Sequence, residues 1–281
     1  MTLQTNVKVN LGLNVLRKRE DGFHDIETLF LPCHEYSDVL EVITGDDYSR
    51  TSASMFARYS EEQLAQGISQ DGKLMITIAR KEGVDWAAEK DLCARAYSLL
   101  DKDFDLPPVK IFLEKKAPVG AGLGGGSADA AFTLRSLNEL FSLALSDEAL
   151  AGYASRLGSD CAFFIFNTPM LGSGRGEVLE SVDFDLERLG LQMKVLVPEG
   201  ISVSTAQAYR GIVPKEPEMR IRDIISLPPE RWKDLLVNDF EQTVFSEHKE
   251  LAAIRQSLYD SGAVYASMSG SGSALFGLYR Y

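Results

Sequence analysis

Apolar and polar residues alternate from Val7 to Val15. Val7, Val9, Leu11, Leu13 and Val15 share one face, and Lys8, Asn10, Gly12 and Asn14 the other. This period of two predicts a half-buried strand with Lys8 and Asn10 projecting together. KREDGF reads as a turn, and ETLFL and DVLEVIT as two further strands. From Gly45 to Gly72 the chain is polar and without period, and reads as a loop or hairpin insertion with one short helix at SEEQLAQ. KLMITIAR and VKIFLEK (Val109–Lys115) alternate as strands, whereas EKDLCARAYSLLDK has helical spacing through Leu92, Ala96 and Leu99. A helix is predicted over Ala128–Leu140, and another at SDEALAGYASRL, capped by Ser146 and stopped at Gly158.

GSDCAFFIF and GSGRGEVLESV read as strand and turn pieces, QMKVLVP as a strand and STAQAYRGI as a capped short helix. KELAAIRQSLYDSG reads as a helix with a glycine stop, and VYASMSGSGSALFGLYRY as two strands around a glycine–serine turn. No internal repeat or low-complexity segment interrupts this order. The expected boundary lies near residues 145–158, dividing the chain into domains over 1–150 and 151–281.

Composition narrows the class. The 281 residues are 45% hydrophobic and 25% charged, as in an ordinary globular protein. With 41 acidic against 29 basic side chains the net charge is −12, which argues against a broad nucleic-acid or membrane-binding face. Cys33, Cys93 and Cys161 offer neither metal-ligand spacing nor a disulfide framework, so a reducing, cytoplasmic setting is expected. The start lacks a cationic segment before an apolar core, and the longest apolar run, Cys161–Phe166, is too short to span a bilayer.

The chemistry concentrates at PVGAGLGGGSADAA, Pro118 to Ala131. Five of the seven residues from Gly120 to Gly126 are glycine, which costs backbone order, and Ser127 follows. A P-loop would need a lysine after the glycines, and none is there. Gly120, Gly122 and Gly125 satisfy G-x-G-x-x-G, but a dinucleotide fold would add a strand ending in an acid about 20 residues on. A second helical segment follows instead. What remains is a strand, a loop of small residues and a helix N-terminus, which together present N–H groups to phosphates. A tight structural turn, the competing account, would need one or two glycines.

Three separated stretches are similar to the GHMP kinases. PVGAGLGGGSADAA resembles their phosphate loop, and MSGSGSALFG their C-terminal motif. KVNLGLNVLRKREDGFHDIETLF resembles the opening of the branch that acts on a cytidine-diphosphate-linked methylerythritol, with GSDCAFFI and VST in matching order. The resemblance implies an α+β, two-lobed GHMP kinase fold with the active site in the inter-lobe cleft. It also implies ATP- and Mg²⁺-dependent phosphorylation of that substrate's 2-hydroxyl, on the methylerythritol phosphate route to isoprenoids. The expected partner is this small molecule, with no nucleic acid or membrane, on a monomer or homodimer.

By the same resemblance Asp160 is the expected base and Lys8 the residue that offsets charge on the phosphoryl group. Pro118, Gly120, Gly122, Leu123, Gly124, Gly125, Gly126, Ser127 and Ala128 are expected around the ATP phosphates, Ser127 also touching Mg²⁺. Asn10, Phe23, His24, Thr205, Gly270, Ser271 and Gly272 are expected on the substrate side, Phe23 and His24 holding the cytosine. Phe23 stands for the usual tyrosine, Val7 for alanine, Ala162 for proline and Asp91 for asparagine. Considered by themselves, Asp160 could be a turn residue, Lys8 a solvated strand lysine and Thr205 a helix cap. Two rival functions remain: a mevalonate- or homoserine-type kinase, and a non-catalytic nucleotide-binding protein on the same fold.

Overall fold

The computed structural model describes residues 2–47 and 49–281; Tyr48, inside the stretch read as a loop insertion, lies outside them. Two long strands open the chain, β1 (Thr2–Lys18) and β2 (His24–Thr44). There follow α1 (Arg50–Arg58), β3 (Leu64–Ile68), β4 (Leu74–Arg80), α2 (Leu92–Phe104) and β5 (Val109–Lys115). Next come α3 (Gly125–Leu140), α4 (Asp147–Ser155), α5 (Cys161–Phe166), β6 (Met170–Ser173), β7 (Val178–Ser181) and β8 (Leu191–Leu196). The remainder is α6 (Thr205–Tyr209), α7 (Ile221–Ile224), α8 (Trp232–Leu235), α9 (Phe240–Glu247), α10 (Lys249–Asp260), β9 (Tyr265–Met268) and β10 (Leu275–Arg280). None of the described helices is long and apolar enough to cross a membrane.

Two compact units emerge, each assembled from separate stretches. The first comprises the chain through Val7, Tyr36–Pro118 and Gly125–Phe166; the second Lys8–Glu35, Val119–Gly124 and Asn167–Tyr281. Residues 145–158 fall inside the first.

In the first unit the C-terminal half of β2 pairs antiparallel with β5, Val39 opposite Glu114 through Thr44 opposite Val109. β5 runs parallel to β4, with α2 as the crossover, and β3 completes that edge antiparallel to β4. β5 is buried almost throughout, so it shows less alternation than a one-sided strand would. The alanine-rich α3 buries Ala128, Ala130, Ala131, Leu134 and Leu137, small and flexible enough to pack closely against its neighbours.

Two local expectations change here. The stretch after Gly45 holds a helix at Arg50–Arg58, capped by Ser49; SEEQLAQ opens with a single 3-10 turn over Glu61–Gln63, within the short helix expected there, and then continues as a strand at Leu64–Ile68. Backbone pairing with β4 fixes that strand, and its exposed side chains carry little period. CAFFIF is a helix rather than a strand. Cys161 to Ile165 are all buried, and an element buried all round gives a continuous apolar run from which periodicity cannot separate helix from strand.

In the second unit the N-terminal half of β2 pairs with β6 through Thr28–Gly172 and Phe30–Met170, and β6 pairs with β7. ETLFL and DVLEVIT are therefore parts of one strand. A separate antiparallel sheet has the order β8-β10-β9. Leu13, Val15, Ile26, Phe240, Val244, Leu251, Leu258, Ala266 and Leu275 form the core between this sheet, α9, α10 and the β1–β2 segment. β1 departs from expectation too: its polar face is buried along with its apolar one, Lys8 being 3% and Asn10 2% exposed. Buried polar groups of this kind persist only when hydrogen-bonded, and these are.

Candidate active site

Lys8 and Asn10 sit two apart on β1 and so face the same way. Lys8 Nζ donates to Asn10 Oδ1 at 2.5 Å and to the Gly122 carbonyl at 2.8 Å. Asn10 Nδ2 donates in turn to Thr28 Oγ1 at 3.0 Å, and Thr28 passes its own proton to the Gly12 carbonyl at 2.6 Å. From the C-terminal turn, Ser269 Oγ donates to the same Gly122 carbonyl at 3.1 Å and accepts from Asn10 N–H at 3.3 Å. The first strand, the glycine loop and the C-terminal glycine–serine turn thus meet on one backbone oxygen.

Backbone bonds hold the same junction: Lys8 N–H donates to the Leu123 carbonyl at 2.9 Å and Ala274 N–H to that of Ala121 at 3.1 Å. Gly122 has φ +75°, and a Cβ there would lie 2.2 Å from the Ser269 carbonyl oxygen. Gly270, at φ +53°, packs over the pair, its Cβ position 3.2 Å from Asn10 Oδ1 and 3.4 Å from Lys8 Nζ. Both glycines are required by close approach as well as by left-handed backbone. Gly272 shares this geometry, with φ +82°. Gly120 and Gly124 also have positive φ.

Sequence reading missed what secures the C-terminal turn. Asn238 Nδ2 donates to the carbonyls of Met268 and Gly270 at 2.8 and 2.9 Å. Glu241 Oε1 accepts from Ser267 Oγ and Met268 N–H at 2.9 and 2.8 Å. Burial pushes the Glu241 carboxyl up, with Arg255 pulling against it. Polar residues in short helical stretches give no local signal of such a role.

Elsewhere in the second unit, Phe23 is 53% exposed, with the Arg175 guanidinium 5.0 Å from its ring centre. His24 stacks on Tyr209 at 4.5 Å and 16°, and Tyr209 meets Phe240 edge-on. Burial lowers the His24 pKa below the usual imidazole value, assisted by Lys18, which favours a neutral ring with one donor and one acceptor nitrogen. Tyr209 was not anticipated, although it lies four residues, about one helical turn, from Thr205. Ser204, not Thr205, caps α6 by accepting from Gln207 N–H, which leaves the Thr205 hydroxyl to meet Ser271 Oγ at 3.3 Å.

In the first unit Gly125, Gly126, Ser127 and Ala128 form the first turn of α3, whose N–H groups have no acceptor within the helix. Pro118 closes the stretch after β5. Burial, together with the neighbouring Asp160 charge, pushes the Cys161 thiol up to about 12, with the half-buried Ser127 hydroxyl acting against them. Asp160 immediately precedes α5. Gly158 completes this corner: a Cβ on it would sit 3.2 Å from Cys161 Sγ and 3.8 Å from Ser127 Oγ.

The first unit also holds a charge cluster. Lys115 Nζ meets Asp38 and, at 2.6 Å, Asp129 Oδ2; Asp129 also accepts from Thr5 Oγ1 at 2.5 Å. Burial raises the Asp129 pKa to about 7 against the pull of Lys115. Burial also works to lower Lys115, but the two carboxylates more than reverse it, so its ammonium holds its proton above the ordinary lysine range. Among the described residues, no group of His, Cys, Asp and Glu is arranged as a metal cage. Mg²⁺ bound with a nucleotide needs none, because it keeps waters and substrate phosphates as ligands, so a serine hydroxyl beside a phosphate loop suits it.

A glycine loop tied to the first strand and to a C-terminal glycine–serine turn is the arrangement expected of a small-molecule kinase. Residues 91–168 match the GHMP kinases N terminal domain and residues 224–281 the GHMP kinases C terminal domain. The chain belongs to the GHMP kinase family. The 4-diphosphocytidyl-2-C-methyl-D-erythritol kinase of Bacteroides thetaiotaomicron is 43% identical over 275 residues, covering 98% of this chain and 90% of that protein. A crystal structure of 4-(cytidine 5'-diphospho)-2C-methyl-D-erythritol kinase shares 30% identity at a TM-score of 0.74, covering 99% of this chain and 90% of that one. Homoserine kinase from Cytophaga hutchinsonii, at 18% identity and a TM-score of 0.60 over 99% of this chain and 86% of its own, shares the fold alone.

Proposed function

We propose that this chain transfers the γ-phosphoryl group of ATP to the 2-hydroxyl of 4-diphosphocytidyl-2-C-methyl-D-erythritol, in the methylerythritol phosphate route to isoprenoids. The observation that carries this reading is the convergence on the Gly122 carbonyl, where Lys8 and Ser269 both donate. It ties the glycine loop to the first strand and the C-terminal turn, which supports reading the loop as a phosphate cradle, as does the resemblance in all three motifs.

In this reading the N–H groups of the glycine loop and the first turn of α3 hold the nucleotide phosphates. Lys8 offsets negative charge as it spreads over the transferred group. The substrate oxygen attacks phosphorus, its proton passes to Asp160, and ADP leaves. Mg²⁺, when bound with the nucleotide, neutralises phosphate charge, and Ser127 is the side chain that would touch it. Cytosine stacks on the open face of Phe23, and neutral His24 reads its edge. Asn10, Thr205 and Ser271 hydrogen-bond the polyol. The small molecule is the partner, in the cytoplasm, and the net charge of −12 supports neither a nucleic-acid nor a membrane surface.

The test is coupled ADP release with ATP and Mg²⁺, comparing the cytidine-linked substrate with mevalonate and homoserine. Turnover of the cytidine compound alone is expected. Turnover of another alcohol instead would discard the substrate assignment, and ATP binding without turnover of any would discard catalysis.

A further inference from the structure

Elsewhere in the first unit three cations line one cleft. Arg95, Ser98, Leu99 and Lys102 follow one another along a single stripe of α2. Arg156 and Leu157, just past the end of α4, complete with them the lining of an open cleft of about 380 Å³. This is within the size range of small-molecule sites.

Among the described residues, none of the three cationic side chains reaches a carboxylate. By contrast Arg17, Arg19, Arg175, Arg188, Arg220 and Arg255 each have an acidic partner. In a chain with 41 acidic and 29 basic side chains, three such cations lining one cleft make a local positive patch. Their mutual repulsion opposes this arrangement, and a bound anion would relieve it. Arg156 is also pre-positioned: its guanidinium lies 5.6 Å over the Tyr153 ring, and the Tyr153 hydroxyl donates to Asp103 Oδ2 at 2.8 Å. Leu99 and Leu157 give the cleft apolar lining beside the charges.

We propose that this cleft binds a compact oligophosphate, a diphosphate group on a small metabolite or free in solution, separately from the nucleotide held at the glycine loop. Arginine suits it because its planar fork matches phosphate oxygens, and Lys102 adds a mobile point charge. Both possible sources present the same anion, and the cleft is too small for a nucleic acid or a folded partner. The proposal is independent of the substrate assigned above, because its test reads binding and not turnover. Arg95 nevertheless stands one turn into α2, and its charge reaches the Cys161 thiol that Ser127 touches. The test must therefore separate the cleft from the glycine loop.

The full chain would be titrated calorimetrically with inorganic diphosphate, with and without a saturating non-hydrolysable ATP analogue. Saturable one-to-one binding that survives the analogue is expected. It should weaken roughly tenfold or more in an Arg95→Gln/Lys102→Gln/Arg156→Gln variant and fall with added salt. The Kd for the ATP analogue should stay within about twofold, since only surface charges change. No saturable binding, or equal binding to the variant, would overturn the proposal. So would diphosphate binding abolished by the analogue together with a raised Kd for the analogue in the variant, which would assign these cations to the nucleotide site. Repeating the titration with a diphosphate monoester of a short alcohol distinguishes the sources: at least tenfold tighter binding than free diphosphate identifies the metabolite, and equal or weaker binding the free anion.

Discussion

Lys115 Nζ lies 2.6 Å from Asp129 Oδ2, tying the last residue of β5 to the second turn of α3. The same ammonium meets Asp38, whose Oδ1 accepts from the backbone N–H groups of Lys116 and Ala117 at 2.6 and 2.7 Å. The segments that enter and leave the glycine loop are therefore anchored to one dry cluster. Burial, with the Asp38 charge adding to it against the pull of Lys115, is why Asp129 holds its proton far above the usual range.

Removing the ammonium should expose the cost of that arrangement. Lys115→Met is expected to lose about 3–5 kcal/mol of stability, because two buried carboxylates lose their counter-ion. Adding Asp129→Asn should recover part of the loss. Urea unfolding of the single and double variants measures both, and a loss under about 1 kcal/mol for Lys115→Met would show the cluster to be solvated.

The raised pKa of Asp129 sets the sign of a pH effect. The native state holds this proton up to about pH 7, whereas the unfolded chain releases it at the ordinary aspartate value near 3.8. Between those limits the native state binds more protons, so this group's contribution to stability falls as pH rises. The stability of the native protein relative to Asp129→Asn should therefore be higher at pH 4.5 than at pH 8. A flat or opposite difference in unfolding free energy would mean that Asp129 is ionised throughout.

Gly122 and Gly120 separate steric contact from backbone strain. Both have positive φ, but a Cβ at Gly122 collides with the Ser269 carbonyl while one at Gly120 meets nothing within 4 Å. Gly120→Ala should cost only the strain of left-handed backbone, about 1–2 kcal/mol, with KM for ATP nearly unchanged. Gly122→Ala should displace the loop from Lys8 and lower kcat/KM for ATP roughly 100-fold or more, about 3 kcal/mol. Equal effects in the kinase assay would remove the collision as the reason for glycine.

Asp160→Asn should leave the fold intact and the KM values within a few-fold. Its kcat should fall roughly 10²–10⁴-fold if the carboxylate takes the hydroxyl proton. Near-full turnover would leave Asp160 with an orienting role at most.

Phe23→Ala should raise the KM for the cytidine substrate, since base stacking on an aromatic ring contributes about 1–3 kcal/mol, or roughly 5- to 150-fold. The KM for ATP should not follow. Phe23→Tyr should retain activity. A parallel rise in both KM values would place the ring outside the cytosine site.

How much of this was legible in the sequence follows from the range of each interaction. The alternation of Val7–Val15 and the glycine run at Gly120–Gly126 are local, and they gave the first strand and the glycine turn ahead of α3 directly. The burial of Lys8 and Asn10 was not legible, because Gly122, which accepts from the Lys8 ammonium, and Ser269, which accepts from the Asn10 backbone N–H, come from more than 100 residues away. Asp38, Lys115 and Asp129 likewise look like ordinary charged positions until the fold gathers them. Asn238 and Glu241 act through carbonyls and N–H groups of the C-terminal turn, and neither has a pattern. Thr205 illustrates an ambiguity that only geometry resolves, since Ser204 turned out to be the cap.

The strand order β8-β10-β9 also bears on how the chain is made. β10 is the last of the three to be synthesised, yet it lies between the other two and supplies both their hydrogen-bonding edges. Until it emerges from the ribosome, β8 and β9 have no common partner, and the turn that carries Ser269 and Gly270 has no second strand to close it. Closure of this sheet therefore waits for β10, and until then β8 and β9 each carry an unfinished edge.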